Sequence, residues 1–371
     1  MKVPFYDPTR EYKNYKDDFD KAIQNVMESG DFILGKEVSN FEEQIKEYTG
    51  AKYAVGTANG SDALVICSDI LKFSGAEVLT PAFTFFASAS CIARLGGKPI
   101  FVDADENTFN MDMRDAENRL NKNTKGIIPV HLFLQTADMN ACIALAEKYN
   151  LTVLEDAAES FGMKTNFKGK MRHSGTLGDF GIFSFFPTKT LGGCGDGGMI
   201  VTNNEELYLL AKSYRTHGTT KKYYHDHIGY NSRLDTMQAA ILNVKFSHIE
   251  DSIQKRAKHA EHYRELLKSI PEIKLPFVSE NNLPINYVFN LQAEKRDKLM
   301  DYLKQNEIGT SVYYPLPLHL QKCFEYLDYK KGDFPVAEKL SEKVLALPMF
   351  PELLESEVDY VCECIIDYYR N

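Results

Sequence analysis

The fold of this chain is decided by the stretch Phe183-Ser184-Phe185-Phe186-Pro187-Thr188-Lys189-Thr190-Leu191-Gly192-Gly193. Its first part belongs to an apolar run over residues 181–186, which predicts a short buried strand. Pro187 has no backbone N–H, so the strand must end before it. Lys189 follows on the connecting loop, and a glycine-rich segment leads into a second apolar run at residues 199–202. The pattern predicts a lysine held just beyond the end of a buried strand.

A lysine in that place has two interpretations. Its amine can form a Schiff base with an aldehyde cofactor such as pyridoxal phosphate, or it is an ordinary solvated lysine, as most lysines are. Residues 151–158 favour the cofactor, because they predict a buried parallel strand ending in Asp156. Ligands bind at the carboxyl ends of such strands, and a carboxylate there can keep a pyridine nitrogen protonated. Asp156 could equally be a helix N-cap, and both roles can hold together.

Strands and helices alternate on both sides of these two stretches. Strands are predicted at residues 53–57, 77–80, 99–102, 127–131 and 152–155, and helices at 15–28, 40–48 (with Ser39 as N-cap), 63–71, 83–95, 112–120, 139–149 and 205–214. Residues 215–230 are predicted as a loop, 234–267 as one long helix, 287–292 as a strand, and 295–305, 336–345 and 358–369 as helices. This alternation predicts an α/β fold with right-handed βαβ units and a mainly parallel sheet.

Composition excludes several classes of function. The chain has 371 residues, 44% of them hydrophobic, and a formal net charge of -9. Without a long basic run, binding to nucleic acid or to an anionic membrane is not expected. No apolar span approaches 18 residues and no signal-peptide core is present, so a cytoplasmic protein is expected. The seven cysteines are scattered, which predicts free thiols and no metal site.

Several motifs, in order along nearly the whole chain, resemble the sugar-nucleotide aminotransferases of the DegT type. They are Glu155-Asp156-Ala157-Ala158-Glu159-Ser160-Phe161-Gly162, Gly178-Asp179-Phe180, the 184–189 run, Gly195-Asp196-Gly197-Gly198, and Gly229-Tyr230-Asn231-Ser232-Arg233-Leu234-Asp235 with Gln238-Ala239-Ala240. The resemblance implies an aspartate-aminotransferase-like fold (fold type I). Residues 1–250 would form a large cofactor-binding domain around a mainly parallel seven-stranded sheet, and residues 251–371 a small C-terminal α+β domain.

The resemblance also implies the cofactor, pyridoxal 5'-phosphate, and the residues that hold it. Lys189 would carry the cofactor and act as general base, with Asp156 on the pyridine nitrogen. The other cofactor contacts would be Gly60, Ser61 and Ser184 on the phosphate, Phe85 over the ring, Glu159 near the ring hydroxyl, and Asn231, which reaches the phosphate from the neighbouring subunit. A homodimer with composite sites follows from that last role. Two residues depart from the pattern: Glu159 stands where many members have glutamine, and Leu134 where a glycine is usual.

Substrate contacts are implied at two further places, the loop residues Lys221, Tyr223 and Tyr224, and the segment containing Tyr314 and His319. Each has a plainer alternative: a solvated charged loop for the first place and a structural histidine for the second. Similarly, Gly60 and Ser61 could form an ordinary strand–helix turn.

By resemblance, the expected reaction moves an amino group from L-glutamate to a keto sugar nucleotide, at C3 of a dTDP-3-keto-6-deoxyhexose. The alternatives are amination at C4, a UDP-linked sugar, or a non-catalytic relative that keeps the fold. A nicotinamide oxidoreductase is disfavoured because the glycines at 192–198 precede a strand rather than open a helix. Relatives with histidine in place of the lysine act as dehydratases, and Lys189 argues against that outcome.

Overall fold

The computed structural model describes residues 1–370, so Asn371, the last residue of the predicted small domain, lies outside the described residues. The strands are β1 Tyr53–Thr57, β2 Glu77–Pro81, β3 Lys98–Val102, β4 Thr124–Ile127, β5 Thr152–Asp156, β6 Lys164–Phe167, β7 Lys170–His173, β8 Phe180–Ser184, β9 Gly198–Thr202, β10 Thr219–Lys221, β11 Tyr224–His225, β12 Ile273–Lys274, β13 Asn282–Leu283, β14 Phe289–Ala293 and β15 Val344–Leu347. The helices are α1 Pro8–Asn14, α2 Lys16–Ser29, α3 Lys36–Thr49, α4 Gly60–Ile70, α5 Ala87–Arg94, α6 Met113–Asn118, α7 Met139–Tyr149, α8 Glu205–Tyr214, α9 Thr236–Phe246, α10 Ile249–Leu267, α11 Arg296–Gln305, α12 Pro335–Lys343 and α13 Glu355–Arg370, with short 3-10 helices at Leu318–Leu320 and Lys322–Leu327.

The central sheet has seven strands in the order β1-β9-β8-β5-β4-β2-β3. Strands β8, β5, β4, β2 and β3 pair in parallel, while β9 is antiparallel to both β1 and β8. One face of the sheet packs on α4, α5 and α8, and the other on α3, α6, α7 and α9. The predicted mainly parallel seven-stranded α/β fold is therefore confirmed. Strand β8 also ends before Pro187, as the sequence requires.

The C-terminal part of the chain builds a second apolar core. Strands β12, β14 and β15 form a three-stranded antiparallel sheet, and α10, α11 and α13 cover it. A further small sheet, β13-β6-β7, joins residues 282–283 to the hairpin at 164–173. The predicted boundary between residues 250 and 251 lies in the first turn of α10 and stays a prediction. No helix in the described residues is long and apolar enough to cross a membrane.

Four helices begin three or more residues away from the predicted starts; α4 and α13 begin earlier, at Gly60 and Glu355. Helix α3 begins at Lys36 after Gly35, so Ser39 lies inside the helix and is not its cap. Glu42, three residues after Ser39, instead accepts the backbone N–H of Gly56 at 2.8 Å and pairs with Arg215. The predicted helix at 83–95 begins only at Ala87. Three of these helices begin with a polar or glycine-containing first turn, which the apolar pattern used for the prediction does not include.

The predicted helix over residues 234–267 is interrupted. Helix α9 ends at Phe246 and α10 begins at Ile249. At the break the Ser247 hydroxyl donates to the Val244 carbonyl at 2.7 Å, a bond that weakens a helix, and the His248 ring stacks on Tyr15 at 3.8 Å.

Several strands also differ from the predicted ones. The loop predicted at 215–230 contains the β10–β11 hairpin, and the predicted helix at 336–345 ends at Lys343. Residues 344–347 form β15 because they pair antiparallel with residues 289–292 of β14. Strand β4 covers 124–127 rather than 127–131. Pairing between distant segments overrides local preference at these places.

Candidate active site

A cavity of about 550 Å³ opens where the central strands end. Its walls come from the β1–α4 turn, the segment before α5, the end of β5, the loop after β8, and residues 287 and 312–314 of the C-terminal part. Ligands of open α/β sheets bind at this edge. The cavity is lined by most of the predicted site residues, namely Gly60, Ser61, Phe85, Asp156, Glu159, Ser184, Lys189 and Tyr314.

Lys189 lies on the loop that follows β8. Its backbone N–H bonds the Phe186 carbonyl at 2.8 Å, which closes a tight turn after the strand. Its Nζ donates to Glu159 Oε1 at 3.3 Å and lies 4.7 Å from the centre of the Tyr287 ring. Burial lowers the pKa of the Lys189 amine, but the Glu159 carboxylate and Tyr287 outweigh burial and raise this pKa above its ordinary value. In the cofactor-free protein the amine is therefore protonated at neutral pH.

Asp156 is the last residue of β5 and is buried. Its Oδ2 accepts the Ser88 hydroxyl at 2.7 Å, and its Oδ1 accepts the backbone N–H of Ala158 at 3.2 Å. Burial raises the pKa of this carboxyl, although the two hydrogen bonds and Lys189 act in the opposite direction. A cation placed against Asp156 would offset the cost of burying its charge.

Glu159 contacts both Lys189 and the C-terminal part of the chain. Its Oε1 accepts from Lys189 and also from the Tyr314 hydroxyl at 3.0 Å. Its Oε2 is buried and has no hydrogen-bond partner within residues 1–370. Burial, with Glu159 as the next cause, raises the pKa of Tyr314, so this hydroxyl remains a donor. A buried acceptor without a partner is costly unless a ligand supplies one.

The turn before α4 approaches Ser184 closely. Asn59 caps α4 by accepting the Asp62 N–H at 2.7 Å, and Gly60 and Ser61 form the first turn of the helix. A Cβ on Gly60 would lie 2.9 Å from the Cβ of Ser184, so a side chain at residue 60 would not fit. First-turn N–H groups have no partner within a helix, and with the Ser184 hydroxyl nearby they form a cradle for an anion such as phosphate.

Phe85 forms part of the cavity wall. Its ring is 55% exposed and lies 6.1 Å from the ring of Tyr314. An exposed aromatic face at this place can stack on a flat ligand.

Five predicted site residues do not line this cavity. Asn231 is exposed and lies in a neighbouring cleft together with Arg233, while Asn59 and Asp196 line both spaces. Lys221, Tyr223 and Tyr224 belong to the β10–β11 hairpin, where Tyr223 is 82% exposed. His319 is buried against Phe334, with its Nε2 3.1 Å from Glu338. Their assigned roles stay predictions.

Among the residues of the site that sequence reasoning missed are Ser88, Tyr287 and Tyr313. Ser88 follows Thr84 by four residues, and the two hydroxyls are 3.2 Å apart, so this spacing of hydroxyl residues was the one available signal. Both tyrosines come from the C-terminal part of the chain. Tyr313 directly precedes the predicted Tyr314, whereas no local motif marks Tyr287. Leu134, which stands where the family usually has a glycine, is buried and does not line the cavity.

The residues of the cavity fit pyridoxal phosphate. The anion cradle at Gly60 and Ser61, the buried carboxylate of Asp156 and the amine of Lys189 offer partners for its phosphate, pyridine nitrogen and aldehyde. The unpartnered Oε2 of Glu159 leaves an acceptor for a further polar group of the ring. These are the donor and acceptor types that this cofactor requires.

Comparison with known proteins adds independent findings. The sequence model of the DegT/DnrJ/EryC1/StrS aminotransferase family matches residues 13–366. The chain is 46% identical over 374 residues to the "Pleiotropic regulatory protein" of Geobacillus stearothermophilus, with both chains covered completely. It is 39% identical over 364 residues to the UDP-2-acetamido-2-deoxy-3-oxo-D-glucuronate aminotransferase of Pseudomonas aeruginosa, covering 98% of this chain and 99% of the relative.

A third relative and a solved structure agree with this. The dTDP-3-amino-3,6-dideoxy-alpha-D-galactopyranose transaminase of Aneurinibacillus thermoaerophilus is 38% identical over 367 residues, with 99% of both chains covered. The crystal structure of DesV from S. venezuelae superposes with a TM-score of 0.96 at 33% identity, covering 100% of this chain and 99% of that one.

Proposed function

The chain belongs to the DegT/DnrJ/EryC1/StrS aminotransferase family, and we propose that it transfers the amino group of L-glutamate to C3 of a dTDP-3-keto-6-deoxyhexose. It is a transaminase that uses pyridoxal 5'-phosphate. The observation that carries the proposal is the meeting of Lys189 and Asp156 in one cavity beside an anion cradle. The relative from Aneurinibacillus thermoaerophilus, similar over its whole length, supports the choice of sugar.

Each residue of the cavity has a defined task in this reaction. When bound, pyridoxal phosphate supplies an electron sink that stabilises negative charge at the amino-bearing carbon. Asp156 would hold a proton on the pyridine nitrogen, and Ser88 orients its carboxylate. The backbone of Gly60 and Ser61, with the Ser184 hydroxyl, would bind the phosphate.

Lys189 would hold the cofactor through its Nζ. The same amine is the group of the cavity that would serve as general base, taking up a proton from the amino donor and giving it back. Glu159 and Tyr287 lie against Nζ and restrict where it can move. Phe85 and Tyr314 form walls that keep water from the reacting atoms and offer apolar faces to a sugar ring.

Assembly into a homodimer with composite sites belongs to the same proposal. Among the cavity's lining residues, Lys189 is the single cation, against the acids Asp156, Glu159 and Asp196. A sugar nucleotide carries a pyrophosphate and glutamate carries two carboxylates, so anion-binding groups must come from elsewhere. Asn231 and the hairpin residues Lys221, Tyr223 and Tyr224 are exposed outside the cavity of their own chain, where a second subunit can receive them. His319 remains a candidate contact of the sugar.

Two organisational predictions belong with this function. We propose that residues 1–250 form the cofactor-binding domain and residues 251–371 the smaller domain, and that the enzyme acts in the cytoplasm.

A UDP-linked 3-keto sugar is the second candidate substrate. The aminotransferase from Pseudomonas aeruginosa, whose name gives a UDP-linked 3-oxo sugar as its substrate, is as similar to this chain as the dTDP-sugar transaminase is. Both candidates place the new amino group at C3, so they differ in the nucleotide and in the substituents of the sugar.

The test compares substrates directly. The purified protein is incubated with L-glutamate and, in parallel, with dTDP-3-keto-6-deoxyhexose, dTDP-4-keto-6-deoxyhexose or a UDP-linked 3-keto sugar, and NMR locates the amino group in each product. We expect the dTDP-linked 3-keto sugar to react at least about tenfold faster than the other two sugars, because a substrate that loses one or two hydrogen bonds to the site reacts more slowly by at least that factor. Faster amination of the 4-keto or UDP-linked sugar would overturn the choice of substrate, and no loss of glutamate with any sugar would overturn the function.

A further inference from the structure

The N-terminal segment contacts the loop that carries Lys189. The Tyr6 hydroxyl donates to the backbone carbonyl of Pro187 at 2.7 Å, across 181 residues of sequence. Pro187 lies two residues before Lys189 and directly after the strand-ending aromatic run. Burial, followed by the nearby Glu11, raises the pKa of Tyr6, so its hydroxyl keeps its proton and stays a donor throughout the working pH range.

Tyr6 is itself held by the C-terminal core. Its ring packs edge-on against Phe350, with the ring centres 6.1 Å apart. Val3 is fully buried in the same core, and its backbone exchanges hydrogen bonds with Glu307 and Gly309 at 3.0 and 2.8 Å. Through this segment, the Pro187 carbonyl is tied to the core formed by β12, β14, β15 and the helices that cover them.

The lysine loop has little freedom to compensate for a lost contact at Pro187. The backbone N–H of Lys189 bonds the Phe186 carbonyl, and that of Gly193 bonds the Phe185 carbonyl, both at 2.8 Å. The chain folds back so closely that a Cβ on Gly192 would lie 2.4 Å from the Pro187 oxygen. A rotation of the peptide after Pro187 would therefore be transmitted to the backbone of Lys189.

We propose that Tyr6 is a positioning residue for Lys189: its hydroxyl fixes the Pro187 carbonyl and thereby sets where Nζ lies relative to the cavity. The inference rests on the role of Lys189 in the proposed function. Proton transfer depends steeply on the placement of the base, since a misplacement of about 1 Å can cost about a hundredfold in rate. The C-terminal part of the chain thus acts on the reacting amine through one hydrogen bond, as well as through the Tyr287 ring.

The chain offers a matched control for this hydroxyl. Tyr263 belongs to the same C-terminal core, and its hydroxyl also donates to a proline carbonyl, that of Pro348, at 3.1 Å. Tyr6→Phe and Tyr263→Phe each remove one hydroxyl bonded to a proline carbonyl and keep the ring. One of these two bonds leads to the lysine loop and the other does not.

Two readouts separate positioning from a loss of stability. The first is the rate at which visible absorbance develops when pyridoxal phosphate is mixed with cofactor-free protein, which reports attachment to Lys189. The second is the single-turnover reaction of the loaded enzyme with L-glutamate. For Tyr6→Phe we expect both rates to fall about tenfold, with the glutamate concentration for half-maximal rate unchanged. For Tyr263→Phe we expect wild-type rates, although both variants melt at a lower temperature.

The outcomes that overturn the proposal are distinct from failure of the proposed function. Wild-type rates in Tyr6→Phe, or equal slowing in both variants, would show that the Tyr6 hydroxyl does not position Lys189. A change in the half-maximal glutamate concentration alone would assign Tyr6 to donor binding instead. If the wild-type protein attached the cofactor but did not react with glutamate, the proposed function would fall, while the attachment rates would still test the positioning role.

Discussion

Glu155 and Asp156 are neighbours on β5, but their carboxylates have opposite surroundings. Glu155 is fully buried and accepts four hydrogen bonds: from His131 Nε2 at 2.9 Å and from the backbone N–H groups of Gly175, Leu177 and Gly178 at 2.8, 2.6 and 2.6 Å. Asp156 accepts two and faces the cavity. Successive strand residues point to opposite faces of a sheet, so a single strand supports both environments.

The comparison separates a carboxylate that stabilises the fold, Glu155, from one that has bonding capacity left for a ligand, Asp156. The His131 ring is itself fixed, because its Nδ1 accepts the Ala137 N–H at 3.0 Å, which leaves Nε2 to donate to Glu155. Every position around Glu155 is used, whereas Asp156 and Glu159 keep bonding capacity directed at the cavity. A saturated buried carboxylate contributes to stability, and an unsaturated one stores capacity for binding.

The largest effect is expected at Lys189, which lines the cavity together with Asp156 and Glu159. Lys189→Ala and Lys189→Arg should each reduce transamination at least about a thousandfold, because neither side chain can carry the cofactor or move the proton. The arginine variant keeps the positive charge beside Glu159 and separates charge from chemistry. Measured as glutamate consumed per enzyme, activity of the arginine variant within tenfold of wild type would contradict the role of this amine.

The second prediction makes the same chemical change in the two neighbours. In Glu155→Gln, an amide NH2 would face backbone N–H donors, so the free energy of unfolding of the cofactor-free protein should fall by about 3 kcal/mol. In Asp156→Asn it should change by less than about 1 kcal/mol, because burial already disfavours the charge and the Ser88 hydroxyl can turn to accept.

Activity should separate the neighbours in the reverse order. Asp156→Asn should lower turnover about a hundredfold or more, since an amide cannot hold a proton on the pyridine nitrogen. Glu155→Gln should retain most of its turnover at a temperature where it is folded. Urea unfolding and initial rates measure the two quantities. Equal losses of stability in the two variants would remove the distinction on which the comparison depends.

The third prediction concerns His173, whose bonding is also saturated. It lies just before the turn that wraps Glu155, its Nδ1 bonds the Ser174 carbonyl at 2.7 Å, and its Nε2 accepts the Gly162 N–H at 2.9 Å. Burial lowers the pKa of His173 from 6.5 to about 4. Between these values the unfolded chain binds more protons than the folded one, so stability falls as pH drops from 6.5 towards 4, by about 3 kcal/mol in all.

A variant without the titrating ring isolates this contribution. His173→Phe loses the two hydrogen bonds and starts from a lower stability, but its unfolding free energy should change less over pH 6.5 to 4 than that of the wild type. Chemical unfolding at half-unit pH intervals gives both curves. Parallel curves would show that His173 titrates normally in the folded state and is not locked in its neutral form.

Sequence patterns predicted the residues of the cavity more easily than the hydrogen bonds around Glu155. Lys189, Asp156 and Gly60 stand at strand ends and helix starts, where local sequence determines position, and one resemblance assigned their roles. The bonds of Glu155 depend on a turn twenty residues away, and Tyr287 comes from a different core. Pairing of this kind is set by tertiary structure, as with β15, and leaves no local periodicity to detect.

The smallest effect is expected at Glu159. This residue combines both cases, because one of its carboxylate oxygens is hydrogen-bonded and the other is not. Its carboxylate helps to raise the pKa of Lys189 against the effect of burial. Glu159→Gln removes the charge but can still accept the Tyr314 hydroxyl, so the amine should lose its proton at a lower pH. At pH 8, reductive methylation of Lys189 in the cofactor-free protein should then be about tenfold faster, which corresponds to one pKa unit. Mass spectrometry of the Lys189 peptide measures the rate.

Glu250→Gln is the control, since Glu250 also accepts a tyrosine hydroxyl, that of Tyr48 at 2.8 Å, but away from the cavity. An unchanged rate in Glu159→Gln would show that the Glu159 side chain does not raise the pKa of Lys189.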